Sequence, residues 1–218
     1  MKLVWTSALL LCAALPLAAP LAAQTPSTPA TKEEGKQPKV LKVGSTVPES
    51  IYLPSFEGLD TSFKDLRGKV VILHFWSDRC PAERHANPVF KQMEGKYKAS
   101  KEVVIIGIAS NQNELGVKPA KGADYSKHYV KLREKAKKAG FEHRILVDHG
   151  NKVSALFGAR STPHCFVIDK RGVLQYSGAL DNDPRGKRGK EATNYLVNAT
   201  AALLAGNKPE VTSTKPYG

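Results

Sequence analysis

The sequence predicts a single α/β domain, a central mixed sheet flanked by helices, and three observations carry that prediction. Val70 to Trp76 and Val103 to Ser110 are apolar runs rich in β-branched residues, with the length and character of buried strands. Between them Ala86, Val89, Phe90, Met93 and Tyr97 recur at spacings of three and four, one apolar stripe on an amphipathic helix. Strand, helix and strand imply a right-handed parallel crossover. Further on, Lys170-Arg171-Gly172 is a turn that joins Phe166 to Asp169 with Val173 to Ala179, and these two strands meet antiparallel.

The 218 residues are enough for one core and not comfortably two. The first 23 read as a leader: Lys2 is a short positive region, Leu3 to Ala19 an apolar segment, and Leu21-Ala22-Ala23 a small-residue cleavage site before Gln24. Pro16 and Pro20 disfavour a stable spanning helix. The expected location is therefore outside the cytoplasm, periplasmic or secreted, with a membrane anchor only if the leader is kept. Cys12 falls in the leader, which leaves Cys80 and Cys165 in a compartment that permits disulfides. Residues 24–40, rich in Pro, Thr, Lys and Glu, read as a flexible linker. The folded domain is expected over 41–206, with 207–218 as a tail. The chain carries 33 Lys and Arg against 20 Asp and Glu, a net charge of +13. These charges are scattered without aromatic interleaving, the pattern of a solvated basic face rather than a nucleic-acid site.

Taken in order, 41–69 contains short strand-like pieces separated by Gly and Pro, closed by a turn at Arg67-Gly68 that feeds the first long strand. After that strand, Ser77-Asp78-Arg79 leads to Cys80-Pro81. Proline is favoured in a first helical turn, where its missing N–H costs nothing, so Cys80 is expected to cap the helix. There the dipole and unpaired N–H groups favour a thiolate. Residues 111–124 read as a polar loop, Ser126 as the cap of a helix that runs through Ala139 and stops at Gly140. Ile145 to Asp148 is a further strand and Val153 to Phe157 a helical turn. The last helix, Glu191 to Ala205, uses Tyr195, Leu196, Ala199 and Leu203 and stops at Gly206.

At the centre of this arrangement, Phe75-Trp76-Ser77-Asp78-Arg79-Cys80-Pro81-Ala82-Glu83-Arg84, with Pro88 beyond, resembles the FWATWCPPCR…P signature of exported thioredoxin-like disulfide reductases of the TlpA/ResA type. Thr162-Pro163 followed by Phe-Val-Ile-Asp and a Gly turn is similar to the cis-proline segment that faces the active cysteine in that fold. The N-terminal extension, a peroxiredoxin/TlpA-type insertion and the tail from Ala202 to Gly218 resemble the redoxin branch, also called AhpC/TSA-like. The resemblance implies a thioredoxin-like fold, thiol chemistry at Cys80, and substrate contacts from Trp76, Arg79, Pro81, Thr162, Pro163 and His164. No cofactor is expected, and His85, His128, His143 and His149 lack the spacing of metal ligands, so no metal is expected either. The expected partners are protein or small-molecule thiols and disulfides or peroxide, with an external thiol as reductant.

Two departures shape the chemistry. Glu83 stands where the family's second motif cysteine would be, so dithiol chemistry at the motif is impossible. Cys-Pro-Ala-Glu with Ser77 three residues before is similar to the peroxiredoxin site, yet Leu73 and Pro163 stand where that family keeps a proline and an arginine. Arg79 or Arg160 are the candidates to replace that arginine. His74 falls where thioredoxins keep a buried proton-relaying aspartate, and its plainer alternative is a core histidine with a hydrogen-bond partner. Glu83 is read as a tuner of Cys80 or a general acid, its plainer alternative a solvated first-turn carboxylate. His164 is read as reaching the thiol or as an exposed loop histidine, and Cys165 as buried and inert. Three readings stay open: a single-cysteine thiol oxidoreductase, a redox-inert peptide-binding module, and a one-cysteine peroxidase.

Overall fold

The structure, a computed structural model, describes residues 39–218. The expected leader and nearly all of the expected linker lie outside the described residues. The chain first forms a small antiparallel hairpin, β1 (Tyr52–Pro54) and β2 (Asp60–Ser62). A 3-10 turn, Phe63–Leu66, follows it, with the Ser62 hydroxyl accepting the Lys64 N–H at 3.2 Å. Then come β3 (Val70–Trp76), α1 (Glu83–Tyr97), β4 (Val103–Ala109), α2 (Gln112–Leu115) and α3 (Val130–Ala139). The chain continues through β5 (Arg144–Val147), α4 (Lys152–Phe157), β6 (His164–Ile168), β7 (Leu174–Gly178) and α5 (Tyr195–Leu204).

The five main strands lie in the order β5-β4-β3-β6-β7. The first three run parallel, while β6 is antiparallel to both β3 and β7, so the sheet is mixed as the sequence predicts. Alternation along β3 serves two cores. Val71, Leu73 and Phe75 pack with Phe63, Phe157 and Phe166 on one face. Val70 and Ile72 pack on the other against Ala86, Phe90 and Met93 of α1 and Leu196 and Ala199 of α5. Both faces are covered, which is why all seven residues of β3 are buried and its sequence reads as a continuous apolar run.

Several boundaries differ from the sequence expectation. Ser126 does not cap α3. Asp124 caps a separate 3-10 turn (Tyr125–Lys127) by accepting the Ser126 N–H at 3.0 Å, and α3 starts only after Tyr129, whose φ of 54° breaks the helical path. The last helix starts at Tyr195, where the Asn194 side chain accepts the Val197 N–H at 2.9 Å. Strand β6 starts at His164 rather than Phe166, because the antiparallel register with β3 extends to Phe75 opposite His164.

Both outer strands meet further chain. Phe56 N–H donates to Ile145 O of β5 at 3.1 Å. On the far side the segment after α5 returns along β7: Ser177 N–H donates to Thr212 O at 3.1 Å and Thr214 N–H to Ser177 O at 3.2 Å. Among the described residues no helix is long and apolar enough to cross a membrane.

Candidate active site

Cys80 stands between the end of β3 and the start of α1. Its N–H donates to Ser77 O at 3.3 Å, and the N–H groups of Glu83, Arg84 and His85 donate to the carbonyls of Cys80, Pro81 and Ala82 at 3.2, 3.2 and 3.1 Å. The helix itself begins at Glu83, with Ala82 in the cap position. The expectation that Cys80 caps the helix is therefore corrected. A tight turn precedes α1, and its carbonyls take the N–H groups of Glu83, Arg84 and His85. The Cys80 side chain instead crosses to the other side of the site, where Sγ donates to Thr162 O at 2.6 Å. The Thr162–Pro163 peptide is cis, Pro163 is buried, and Cys80 stays partly exposed. The loop after α4 thus brings Thr162 to the thiol, as the resemblance implies.

The turn is held from below by one residue that the sequence did not point to. Glu114, on the short helix α2, accepts the Ser77 hydroxyl at 2.5 Å and the Asp78 and Arg79 N–H groups at 3.0 and 3.4 Å. Asn111 Nδ2 adds a fourth bond to the same carboxylate at 2.9 Å. The Ser77 hydroxyl proton is therefore committed to Glu114. An acidic residue in a polar stretch just after a buried strand is the only signal the sequence offered.

Glu83 is not a solvated first-turn carboxylate. It is 3% exposed, and neither carboxyl oxygen has a hydrogen-bond partner among the described residues. Burial pushes its pKa up to about 8; the Ser77 backbone N–H, which points toward the carboxyl without completing a hydrogen bond, opposes the rise in part, and the Glu114 carboxylate adds to it. Glu83 is thus a neutral acid at pH 7, and as such does not repel a thiolate on the adjoining turn. Its favourable pairing with the helix dipole, which requires a charge, is absent in that form.

His74 lies in the same buried layer, stacked on Phe90 with ring centroids 3.9 Å apart. Its Nε2 bonds to His143 Nε2 at 2.9 Å, and His143 Nδ1 bonds to Glu94 Oε1 at 2.5 Å. Burial, with the neighbouring His143 adding to it, holds His74 well below the usual histidine range, so it is neutral. Its hydrogen bond runs toward β5, and none links it to Cys80. Trp76 is 2% exposed and packs edge-on against Phe56 and Phe141. It forms part of the wall of a cleft of about 250 Å³ with Ser77, Ser110, Arg160, Ser161 and Thr162.

Arg79 and Pro81 are exposed on the Cys80 turn. Pro81 borders a larger cavity of about 780 Å³ with Arg84, His85, Arg185, Lys187 and Tyr217. His164 is corrected on both counts: it is buried at 4% exposure, accepts the Arg160 N–H at Nδ1 and bonds to the Ser177 hydroxyl at Nε2. Its place inside β6 turns it toward β7 and away from the thiol. Burial, helped by Arg160, lowers its pKa to about 4. Cys165 is fully buried beside α1, and burial raises its thiol well above the ordinary range. It is a free thiol, as is Cys80.

The chain is similar to several known proteins. Over 134 residues the chain is 27% identical to the thiol-disulfide oxidoreductase ResA of Bacillus anthracis, covering 62% of this chain and 68% of that one. It is 30% identical over 139 residues to the chloroplastic peroxiredoxin Q of Triticum aestivum, covering 60% and 56%. A solved structure from Geobacillus kaustophilus, of an uncharacterized conserved protein, matches with a TM-score of 0.65 at 20% identity over 83% of this chain and 96% of that one. A protein of Chlorobium tepidum assigned as thiol:disulfide interchange protein DsbE matches with a TM-score of 0.50 at 24% identity, covering 63% and 84%. The fold is thioredoxin-like. Residues 43–177, from the first hairpin through the Cys80 turn to β7, match the AhpC/TSA family, and the chain belongs to that family.

Proposed function

We propose that the protein is an exported thiol oxidoreductase that uses Cys80 as its only nucleophile and exchanges with disulfides. The observation that carries this reading is the position of Sγ, partly exposed and 2.6 Å from the carbonyl that precedes cis-Pro163. The Cys80 thiolate attacks one sulfur of a disulfide, forming a mixed disulfide and expelling the other sulfur as a thiolate. With Cys165 buried and Glu83 in place of a second motif cysteine, an external thiol must attack the mixed disulfide. That attack returns Cys80 as thiolate and carries the substrate sulfur away in a new disulfide. Thr162 and Pro163 present the substrate backbone. Glu83, buried and neutral at pH 7, places no like charge beneath the Cys80 thiolate as it forms. Glu114 fixes the turn through Ser77, and His74 ties the strand beneath it to His143. The similarity to ResA and the leader-like first 23 residues support the disulfide substrate and the exported location.

The Cys-Pro-Ala-Glu motif and the similarity to peroxiredoxin Q favour a second reading, peroxide reduction through a sulfenic acid at Cys80. Against it, the Ser77 hydroxyl proton is already taken by Glu114. The test uses residues 24–218 with Cys165→Ala, incubated in turn with glutathione disulfide, a peptide disulfide and stoichiometric hydrogen peroxide, with mass spectrometry of Cys80. The expected result is a mixed disulfide at Cys80, faster than any oxidation by peroxide and absent from Cys80→Ser. Fast sulfenic acid with slow exchange selects the peroxidase. Inertness to both overturns the enzymatic readings and leaves a binding module.

A further inference from the structure

Residues 215–218 run back to the Cys80 side of the molecule, and Gly218 lies against Thr162. After pairing with Ser177 of β7, the segment is anchored at Thr214, whose Oγ1 accepts the Ala179 N–H at 2.9 Å and bonds to the Tyr176 hydroxyl at 2.7 Å. Gly178 makes room for this anchor, since a Cβ there would lie 2.2 Å from Thr214 Oγ1 and 2.7 Å from its carbonyl oxygen. Beyond the anchor the Tyr217 hydroxyl donates to Asp181, a buried carboxylate that also holds His85 at 2.8 Å. Gly218 then lies flat on the Thr162 backbone: a Cβ at this position would stand 2.1 Å from Thr162 O and 3.1 Å from Thr162 N. That same carbonyl oxygen accepts the Cys80 thiol. Tyr217 and Gly218 share the 780 Å³ cavity with Pro81 and Ala82, the two residues that follow the cysteine.

We propose that residues 215–218 are a strap that fills the substrate groove in the manner of an extended polypeptide, and that a polypeptide disulfide must displace it to reach Cys80. The chemistry fits that occupant. The strap presents backbone to the Thr162 backbone, and the closest point is a glycine, which fits because it carries no side chain. Thr214 is a hinge point that stays bound through two core hydrogen bonds while the four residues beyond it have one side-chain bond, from Tyr217. Tyr217 also packs against the core, so the strap is held at this one side chain, and a surface segment held at one point opens more readily than the fold as a whole. The inference rests on the reading of Cys80 as the reactive centre, but its gating step is measurable without any redox activity.

The experiment compares alkylation of Cys80, read at its own peptide, in three forms of residues 24–218: unaltered, cut after Thr214, and full length with Gly218→Ala. The cut form loses the Tyr217–Asp181 bond and the contact on Thr162. In the alanine form, a methyl group meets the Thr162 carbonyl from a backbone φ of 148° that side-chain-bearing residues seldom adopt. The cut form is expected to raise the alkylation rate about five- to tenfold, the change that follows when an opening equilibrium loses one hydrogen bond of ordinary net strength, and the alanine form, through the clash with Thr162, to raise it in the same direction by at least about threefold. A synthetic peptide of the sequence Val-Thr-Ser-Thr-Lys-Pro-Tyr-Gly, added to the cut form, is expected to slow alkylation again. Rates within about twofold across all three forms, with no effect of the peptide, overturn the strap whether or not Cys80 exchanges with disulfides. Faster alkylation with no disulfide exchange in any form would keep the strap and overturn the proposed activity.

Discussion

Replacing Glu83 by glutamine tests how the buried layer under Cys80 is charged. The folded protein keeps a proton on Glu83 up to about pH 8, whereas the unfolded chain releases it near the ordinary 4.5. Between those values the native state binds more protons than the unfolded state, so this group's contribution to stability falls as pH rises. The interval from 4.5 to about 8 spans three and a half pH units. At about 1.4 kcal/mol per unit the full loss has a ceiling of about 5 kcal/mol. Because Glu83 is 3% exposed, solvent screening removes little of this; relaxation of the turn and water entry bring the expected figure to about 3 kcal/mol. Glutamine has the same shape and no charge at any pH. Urea unfolding of both proteins from pH 4 to pH 9 therefore gives a difference curve in which the common titrations cancel. The two should be nearly equal below about pH 4.5, with the variant gaining steadily until about pH 8 and holding its advantage above it. A flat curve, or one in which the wild type gains as pH rises, would refute a neutral buried Glu83 and restore the ordinary first-turn carboxylate.

Two further substitutions address the supports of the site. Glu114→Ala removes the acceptor of the Ser77 hydroxyl and the Asp78 and Arg79 N–H groups; it should cost about 2 kcal/mol in thermal or urea unfolding and slow mixed-disulfide formation at Cys80. Unchanged stability would mean the carboxylate merely rests on the turn. Glu94→Gln weakens the bond to His143. Burial alone would raise the Glu94 carboxyl, but the bonds from the His143 ring and from the His143 and Glu142 backbone outweigh it and leave the group below its usual value. A depressed acid contributes stability above its unfolded pKa and loses it as pH falls through the folded one. The variant should thus be about 1–2 kcal/mol less stable at pH 7, with the deficit closing in acid. A deficit that grows in acid would contradict the assignment.

The framework was legible because each buried strand writes its own signature. Val70 to Trp76 and Val103 to Ala109 are covered on one face by α1 and α5 and on the other by α4 and the N-terminal segment, and continuous apolar runs are the result. Cys80 and Thr162-Pro163 could be placed opposite one another from the motif resemblance alone. What stayed hidden depends on partners distant in sequence. Glu114 meets Ser77 across 37 residues and His74 meets His143 across 69, and no local pattern announces either contact. Glu83 was found, but its burial was not, because a first-turn acid usually faces water. The helix begins only at Glu83, after the turn from Ser77 to Ala82, and its first residue falls on the buried side. His164 was misjudged for a related reason: a residue next to a loop proline became the first residue of a strand once its register with β3 was complete.

The return of the last segment along β7 also matters far from Cys80. A mixed sheet of five strands has two edges, each a row of unpaired N–H and C=O groups able to recruit a strand from another molecule. Here Phe56 caps the β5 edge and Thr212 with Thr214 caps the β7 edge. Residues 212–214 therefore cover the edge that would otherwise recruit another chain, independent of any role at the thiol. Cutting after Thr214 spares that cover. Cutting before Thr212 leaves Ser177 N–H open to the first neighbouring chain, so the shortened protein would trade solubility for an uncovered edge.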